Sequence, residues 1–177
     1  FLQPKFDITK ERIKGAEALI RWNYKKSEFL SPYKFIPLFE KDGTIGKIDD
    51  IVLTKVCEAF ARWKKEGRKL YPISVNLSRN RLYDENITEH LTSIIDSYGI
   101  DHGLIDFELT ESATYDDTEH MIQILDELRD KGFLISMDDF GTGYSSFSLL
   151  TEMPLDTLKL DKSFVDKVGG DSDKEQD

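Results

Sequence analysis

The sequence predicts an α/β protein built as a (β/α) barrel. Two observations carry that prediction. First, apolar segments of strand length alternate with longer segments of helical period, roughly 20–35 residues apart, which is the spacing of βαβ units in a parallel sheet. Second, Glu17, Asn76, Glu108, Asp138 and Lys159 fall on five different strand segments. An open doubly wound sheet concentrates its functional groups at one switch point. A barrel lets them come from the C-terminal ends of many strands and meet over its mouth.

The elements follow in order. Residues 1–7 read as a short strand, which Pro4 confines to an edge or an end. A polar turn over 8–12 leads to a second strand predicted at 13–22. There Glu17, Leu19 and Arg21 alternate with Ala18 and Ile20. Ser31-Pro32 starts a helix, with proline at its first position, and Gly43 closes it. A longer helix is predicted at 48–66, with Ile51, Val52, Val56, Phe60 and Trp63 as its apolar stripe. A third strand at 71–78 places Ser74, Asn76 and Ser78 on one face, opposite Ile73, Val75 and Leu77. Helices at 86–98 and 117–131 flank a fourth strand at 104–110, and Gly99 and Gly132 stop them. A fifth strand opens with Phe133-Leu134-Ile135, a short helix is predicted at 145–152, and a sixth strand at 157–161. The acidic stretch 169–177 lacks apolar residues and reads as a disordered tail or loop.

Composition bounds the function. The chain of 177 residues can form one domain with a real core. Its formal net charge of −10 argues against a generic nucleic-acid binder, which needs a basic surface. An acidic site can still hold an anionic phosphodiester if divalent cations sit between them. No apolar run reaches membrane-spanning length. Cys57, the single cysteine, sits in an apolar helical pattern and reads as a core residue, so a reducing, cytoplasmic setting is expected. His90, His102 and His120 fall on helices or loops and read as surface residues.

Asp138 and Asp139 are adjacent carboxylates where the fifth strand should end, followed by Gly141 and Gly143, which permit a tight turn. Hard cations such as Mg²⁺, Mn²⁺ or Ca²⁺ take oxygen ligands of this kind. Each residue alone has a plainer reading. Glu17 can be a surface acid on an edge strand, Asn76 can satisfy a turn, Glu108 can pair with Arg21, and Lys159 can be a surface lysine. Together, several carboxylates, an amide and a lysine on inward-facing positions cost several kcal/mol if buried unpaired, and a divalent metal is the simplest compensation. From the chemistry alone, an enolase-like lyase with Lys159 as base stays open beside a hydrolase, although Asn76 and the Gly-Thr-Gly turn suit it poorly. Asp-Phe-Gly at 139–141 matches a kinase motif by chance, since no other kinase element accompanies it.

Five motifs in order resemble one family: Glu17-Ala-Leu19 with Arg21-Trp22, Val75-Asn-Leu-Ser78, Glu108-Leu-Thr-Glu111, Asp138 to Ser146, and Leu158-Lys-Leu-Asp161. They resemble EAL domains, the bacterial cyclic di-GMP phosphodiesterases, and the resemblance covers nearly the whole chain. It implies a modified TIM-type (β/α)8 barrel with an antiparallel first strand, and hydrolysis of cyclic di-GMP to linear pGpG by a two-metal site using Mg²⁺ or Mn²⁺. By resemblance, Glu17, Asn76, Glu108 and Asp138 ligate one metal, and Asp138 bridges to a second that Asp139 also binds. Lys159 orients or activates the attacking water, and Glu111 steadies the loop that couples dimerisation to catalysis. Gln3, Leu19 and Arg21 contact the nucleotide. A homodimer, a fused sensor or GGDEF domain and a barrel domain over 1–168 are expected. The barrel is expected to be incomplete, since the helix, last strands and second-metal glutamate that follow the sixth strand in the family are not expected in this sequence. Phe1 and Lys5 stand where the family suggests tyrosine and an aliphatic residue, and neither is expected to carry chemistry. The alternative within the family is a non-catalytic cyclic di-GMP receptor.

Overall fold

The fold is seen in a computed structural model, which describes residues 1–25, 28–111, 118–142 and 147–169. Six strands form one sheet: β1 (Leu2–Asp7), β2 (Arg12–Ala18), β5 (Ile73–Asn76), β6 (Ile105–Thr110), β7 (Leu134–Phe140) and β8 (Thr157–Leu160), hydrogen-bonded in that order. β1 runs antiparallel to β2, and every later pairing is parallel. This is the expected α/β arrangement with an antiparallel first strand, as a curled part of a barrel whose edges among the described residues are β1 and β8.

The helices are α1 (Pro32–Lys41), α2 (Ile45–Lys65), α3 (Ile87–Ser97), α4 (Thr118–Asp130), α5 (Phe147–Glu152) and α6 (Lys162–Gly169). The strand alternation sorts the two faces of the sheet. Ile73, Val75, Ile105, Phe107, Ile135 and Met137 join the core with Phe60 of α2, Leu91 of α3 and Leu125 of α4. Each such side chain contributes about 1.5–3 kcal/mol by leaving water. The residues between them are Ser74, Asn76, Asp106, Glu108, Ser136 and Asp138, so the face away from those helices is polar. An interior lined by polar groups instead of the usual branched aliphatics is a site and not a core.

Two expectations are corrected here. The strand expected at 13–22 ends at Ala18, and β3 (Trp22–Lys25) pairs with β4 (Glu28–Leu30) in a separate hairpin. Ala18 is the last residue paired to both β1 and β5; Leu19 still exchanges backbone hydrogen bonds with Phe1, at 2.9 and 3.0 Å, but on the β5 side the ladder has ended. Trp22 instead packs on Phe35 and Phe39, with ring centroids 5.5 and 5.9 Å apart. A helix also follows the sixth strand, where none was expected: α6 packs Phe164 near Phe140, centroids 6.1 Å apart. The tail from residue 170 onward and the loop residues 143–146 lie outside the described residues.

Candidate active site

Parallel pairing in register aligns the ends of β2, β5, β6 and β7. Glu17 pairs with Ser74, Asn76 with Glu108, and Thr110 with Asp138. Glu17, Glu108 and Asp138 each bring a carboxylate oxygen to within 4.8 Å of the others. The ammonium of Lys159 sits among them. It donates to Glu17 Oε2 at 3.2 Å, to Asp138 Oδ2 at 2.6 Å and to Glu108 Oε1. Glu108 therefore pairs with lysines and not with Arg21, whose guanidinium donates to its own neighbour's carbonyl, Ile20 O, at 2.7 Å. Lys159 is no freely solvated surface lysine, since its side chain is 27% exposed and holds three carboxylates.

A bulge delivers the Asp pair. Met137 pairs with Leu158 and Phe140 with Leu160, so Asp138 and Asp139 together oppose the single residue Lys159. Asp139 adopts φ 57°, a left-handed conformation that aspartate tolerates better than most residues. Its N–H donates to Asp138 Oδ1 at 2.8 Å, which fixes the Asp138 carboxylate. Glu111, buried just beyond β6, accepts from the N–H groups of Gly141 and Thr142 at 2.8 and 3.1 Å. It ties down the turn that follows the Asp pair.

A second polar layer lies beneath. Asp106 accepts from Ser136 at 2.7 Å and from Ser74. Lys5 reaches into this layer from β1, donating to Ser74, to Asp106 at 3.5 Å and to Glu108 Oε2 at 3.3 Å. Lys5, which was not expected to carry chemistry, thus touches a predicted metal ligand, Glu108. The usable signal was alternation, because Gln3 and Lys5 share a face, and Gln3 pairs with Glu17. Asp106, two residues before Glu108 and on the same face of β6, was likewise missed.

The electrostatics follow from burial and charge. Glu17, Asp106, Glu108 and Asp138 face Lys5 and Lys159. With all of them ionised, two negative charges remain, the charge of one divalent cation. Burial pushes the Glu108 carboxyl up to about 7 against the pull of Lys159. Asp138 feels the same burial, but hydrogen bonds from Lys159 and Glu108 outweigh it and hold the group below its ordinary value. Asp139 is raised, first by burial and then by repulsion from Asp138 and Asp161. Burial works against the Lys159 ammonium, yet its bonds to Asp138 and Glu108 carry it above the ordinary lysine range.

The remaining predicted residues surround this centre. Glu17, Leu19, Arg21, Asn76 and Glu108 line one cleft of about 980 Å³, a size that suits a nucleotide-sized ligand. Asn76 stands on the same rung as Glu108. Asp139 is not part of the three-carboxylate cluster. His90 is bound to Asp50, and His102 to Asp96 and the Lys131 carbonyl. The three carboxylates at the centre, Glu17, Glu108 and Asp138, offer oxygen donors that suit a hard divalent cation, and Asn76 lines the same cleft as Glu17 and Glu108.

Fold and site together define a class, a (β/α)-barrel protein that gathers carboxylates and a lysine at its strand ends. A family model described as EAL domain matches residues 1–176, and the chain belongs to the EAL domain family. It is 34% identical over 168 residues to a Pseudomonas aeruginosa protein named a cyclic di-GMP phosphodiesterase, covering 95% of this chain and 28% of that protein. It is 33% identical over 171 residues to MucR of the same organism, named a bifunctional diguanylate cyclase/cyclic di-GMP phosphodiesterase, covering 97% of this chain and 25% of MucR. The chain thus spans about a quarter of these relatives' length. The solved MucR phosphodiesterase in complex with cyclic di-GMP superposes with a TM-score of 0.87 at 33% identity, over 97% of this chain and 70% of that one.

Proposed function

We propose that this EAL domain is a metal-dependent phosphodiesterase that hydrolyses cyclic di-GMP to linear pGpG. The observation that carries the reading is the meeting of Glu17, Glu108 and Asp138 around Lys159. The names of its relatives and the ligand in the MucR structure support the substrate.

Glu17, Asn76, Glu108 and Asp138 would hold one Mg²⁺ or Mn²⁺, and Asp138 with Asp139 a second. When bound, such a pair polarises phosphoryl oxygens and makes water a nucleophile near neutral pH. The protein's own groups do the positioning. Asp138 has two oxygens and so can serve both sites. Lys159 is an ammonium held above the usual lysine range by Asp138 and Glu108 in the metal-free site. In this reading it orients the attacking water and supplies positive charge to the developing negative charge, a role unlike that of a lyase's lysine base. Glu111 fixes the turn after the Asp pair through two backbone donors. Arg21 and Leu19, just beyond the end of β2 and lining the cleft, meet the nucleotide together with Gln3, Arg21 supplying a charge for a phosphate.

Residues 1–168 form the barrel domain in this reading, and it works as a cytoplasmic homodimer fused to a sensor or GGDEF module. The bifunctional name of MucR supports the fusion. Among the described residues no helix is long and apolar enough to cross a membrane. The test is to incubate the protein with cyclic di-GMP and Mg²⁺ or Mn²⁺ and separate the products chromatographically. Metal-dependent pGpG is the expected product. Tight binding of cyclic di-GMP with no pGpG would support a receptor instead.

A further inference from the structure

Lys5 takes no part in the chemistry above, yet it is built into the site. It stands opposite Gly15 across β1 and β2, where no side chain opposes it. Its ammonium is anchored by Ser74 and by Asp106, which Ser74 and Ser136 hold in turn. From there it takes one oxygen of Glu108. Oε2 lies 3.3 Å from Lys5 Nζ, while Oε1 faces Lys159 among the other two carboxylates. The Glu108 side chain is wholly buried, so its two oxygens have no water to choose instead.

The division matters because cations differ in what they ask of a carboxylate. Ca²⁺ takes 6–8 oxygens at flexible angles and often binds both oxygens of one carboxylate. Mg²⁺ takes six in a near-ideal octahedron, and Mn²⁺ prefers the same oxygen octahedron. An ammonium fixed on one carboxylate oxygen repels a cation from that side and takes one of its lone pairs, so chelation through both oxygens is disfavoured. We propose that Lys5 is a positioning residue that sets the cation selectivity of this site, restricting Glu108 to a single ligating oxygen and so favouring Mg²⁺ and Mn²⁺ over Ca²⁺. This inference rests on the metal-dependent reading and assigns Lys5 a part in it.

The test measures Mn²⁺ binding to the chelator-stripped full chain by electron paramagnetic resonance of free Mn²⁺, with Ca²⁺ and Mg²⁺ as competitors. It compares wild type, Lys5→Arg, Lys5→Met and the double variant Lys5→Met with Asp106→Asn. The double variant keeps the buried layer neutral and carries the same expectation if the single variant fails to fold. The ratio of competition constants should move toward Ca²⁺ on the order of tenfold in both methionine variants and stay within about twofold of wild type in Lys5→Arg. A purely structural lysine would weaken all three cations together and leave the ratio unchanged, which overturns the inference. An arginine variant that shifts as far as the methionine variants overturns it as well. Wild-type protein that binds Mn²⁺ and forms pGpG while the ratio stays fixed sinks the Lys5 role alone. Wild-type protein that binds no Mn²⁺ sinks the metal-dependent reading with it.

Discussion

Replacing Lys159 with methionine tests the electrostatics of the site in one step. Methionine keeps most of the chain's length and removes its charge. Three carboxylates that share one ammonium would then face each other across less than 4.8 Å. Removing one partner of a fully buried ion pair costs about 3–5 kcal/mol. Here the side chains of Glu17, Asp138 and Lys159 are 15, 24 and 27% exposed, so water screens part of the repulsion. A discounted cost of about 2–3 kcal/mol follows for the metal-free protein. For a chain of this size that is a drop of roughly 5–10 °C in Tm. A divalent cation can take the place of the lost ammonium, so Mg²⁺ should raise the Tm of the variant more than that of wild type. At about a hundred times its Kd a ligand adds about 2.7 kcal/mol, enough to close most of the gap. Thermal denaturation followed by circular dichroism, with chelator and with Mg²⁺, reads both effects. A variant within a degree or two of wild type in chelator, or one that gains no more from Mg²⁺, would refute the reasoning.

Other outcomes follow from single contacts. Glu108, raised by burial to about 7 from an ordinary 4.5, must lose its proton to bind a cation. Apparent Mn²⁺ affinity should therefore fall as pH drops below about 7, by up to about tenfold per unit, and equal affinities at about pH 6 and 8 would contradict this. The same raised carboxyl binds protons more tightly folded than unfolded. Its share of the metal-free protein's stability is present below the unfolded value and lost as pH rises through about 7. Glu111→Ala leaves the Gly141 N–H without its acceptor and the Thr142 N–H with only a 3.3 Å bond to the Asp139 carbonyl. It should cost about 1–3 kcal/mol locally and lower kcat with little change in Mn²⁺ affinity, while unchanged kcat would remove Glu111 from the loop's support. Gly15→Ala would put a Cβ 2.8 Å from the Pro72 carbonyl oxygen. A loss of about 1–3 kcal/mol in urea denaturation is expected, and full stability would show that β2 and residue 72 can move apart.

Much of this was legible in the sequence because its signals are local. Strand alternation put Ser74 and Asn76 on one face and Val75 on the other, and the structure keeps that division. Apolar period and glycine stops located α2, α3 and α4 to within a few residues. What stayed hidden depended on partners distant in sequence. The end of β2 at Ala18 is set by where β1 and β5 stop pairing, and no pattern in 13–22 marks it. The Asp138–Asp139 bulge exists only relative to β8. Lys5 looks like any edge-strand lysine until Asp106 and Glu108 arrive from a hundred residues further along the chain. Those carboxylates make it a half-buried counter-ion.

The central claim is that Glu17, Glu108 and Asp138 share a cation at the mouth of the barrel. Crystals soaked in Mn²⁺ and measured for anomalous scattering test it directly. The account predicts a peak at about 2.0–2.3 Å from a carboxylate oxygen of each residue, with the Lys159 ammonium moved off the position it holds among them here. A peak elsewhere, or Lys159 still bonded to all three carboxylates at saturating Mn²⁺, would contradict it.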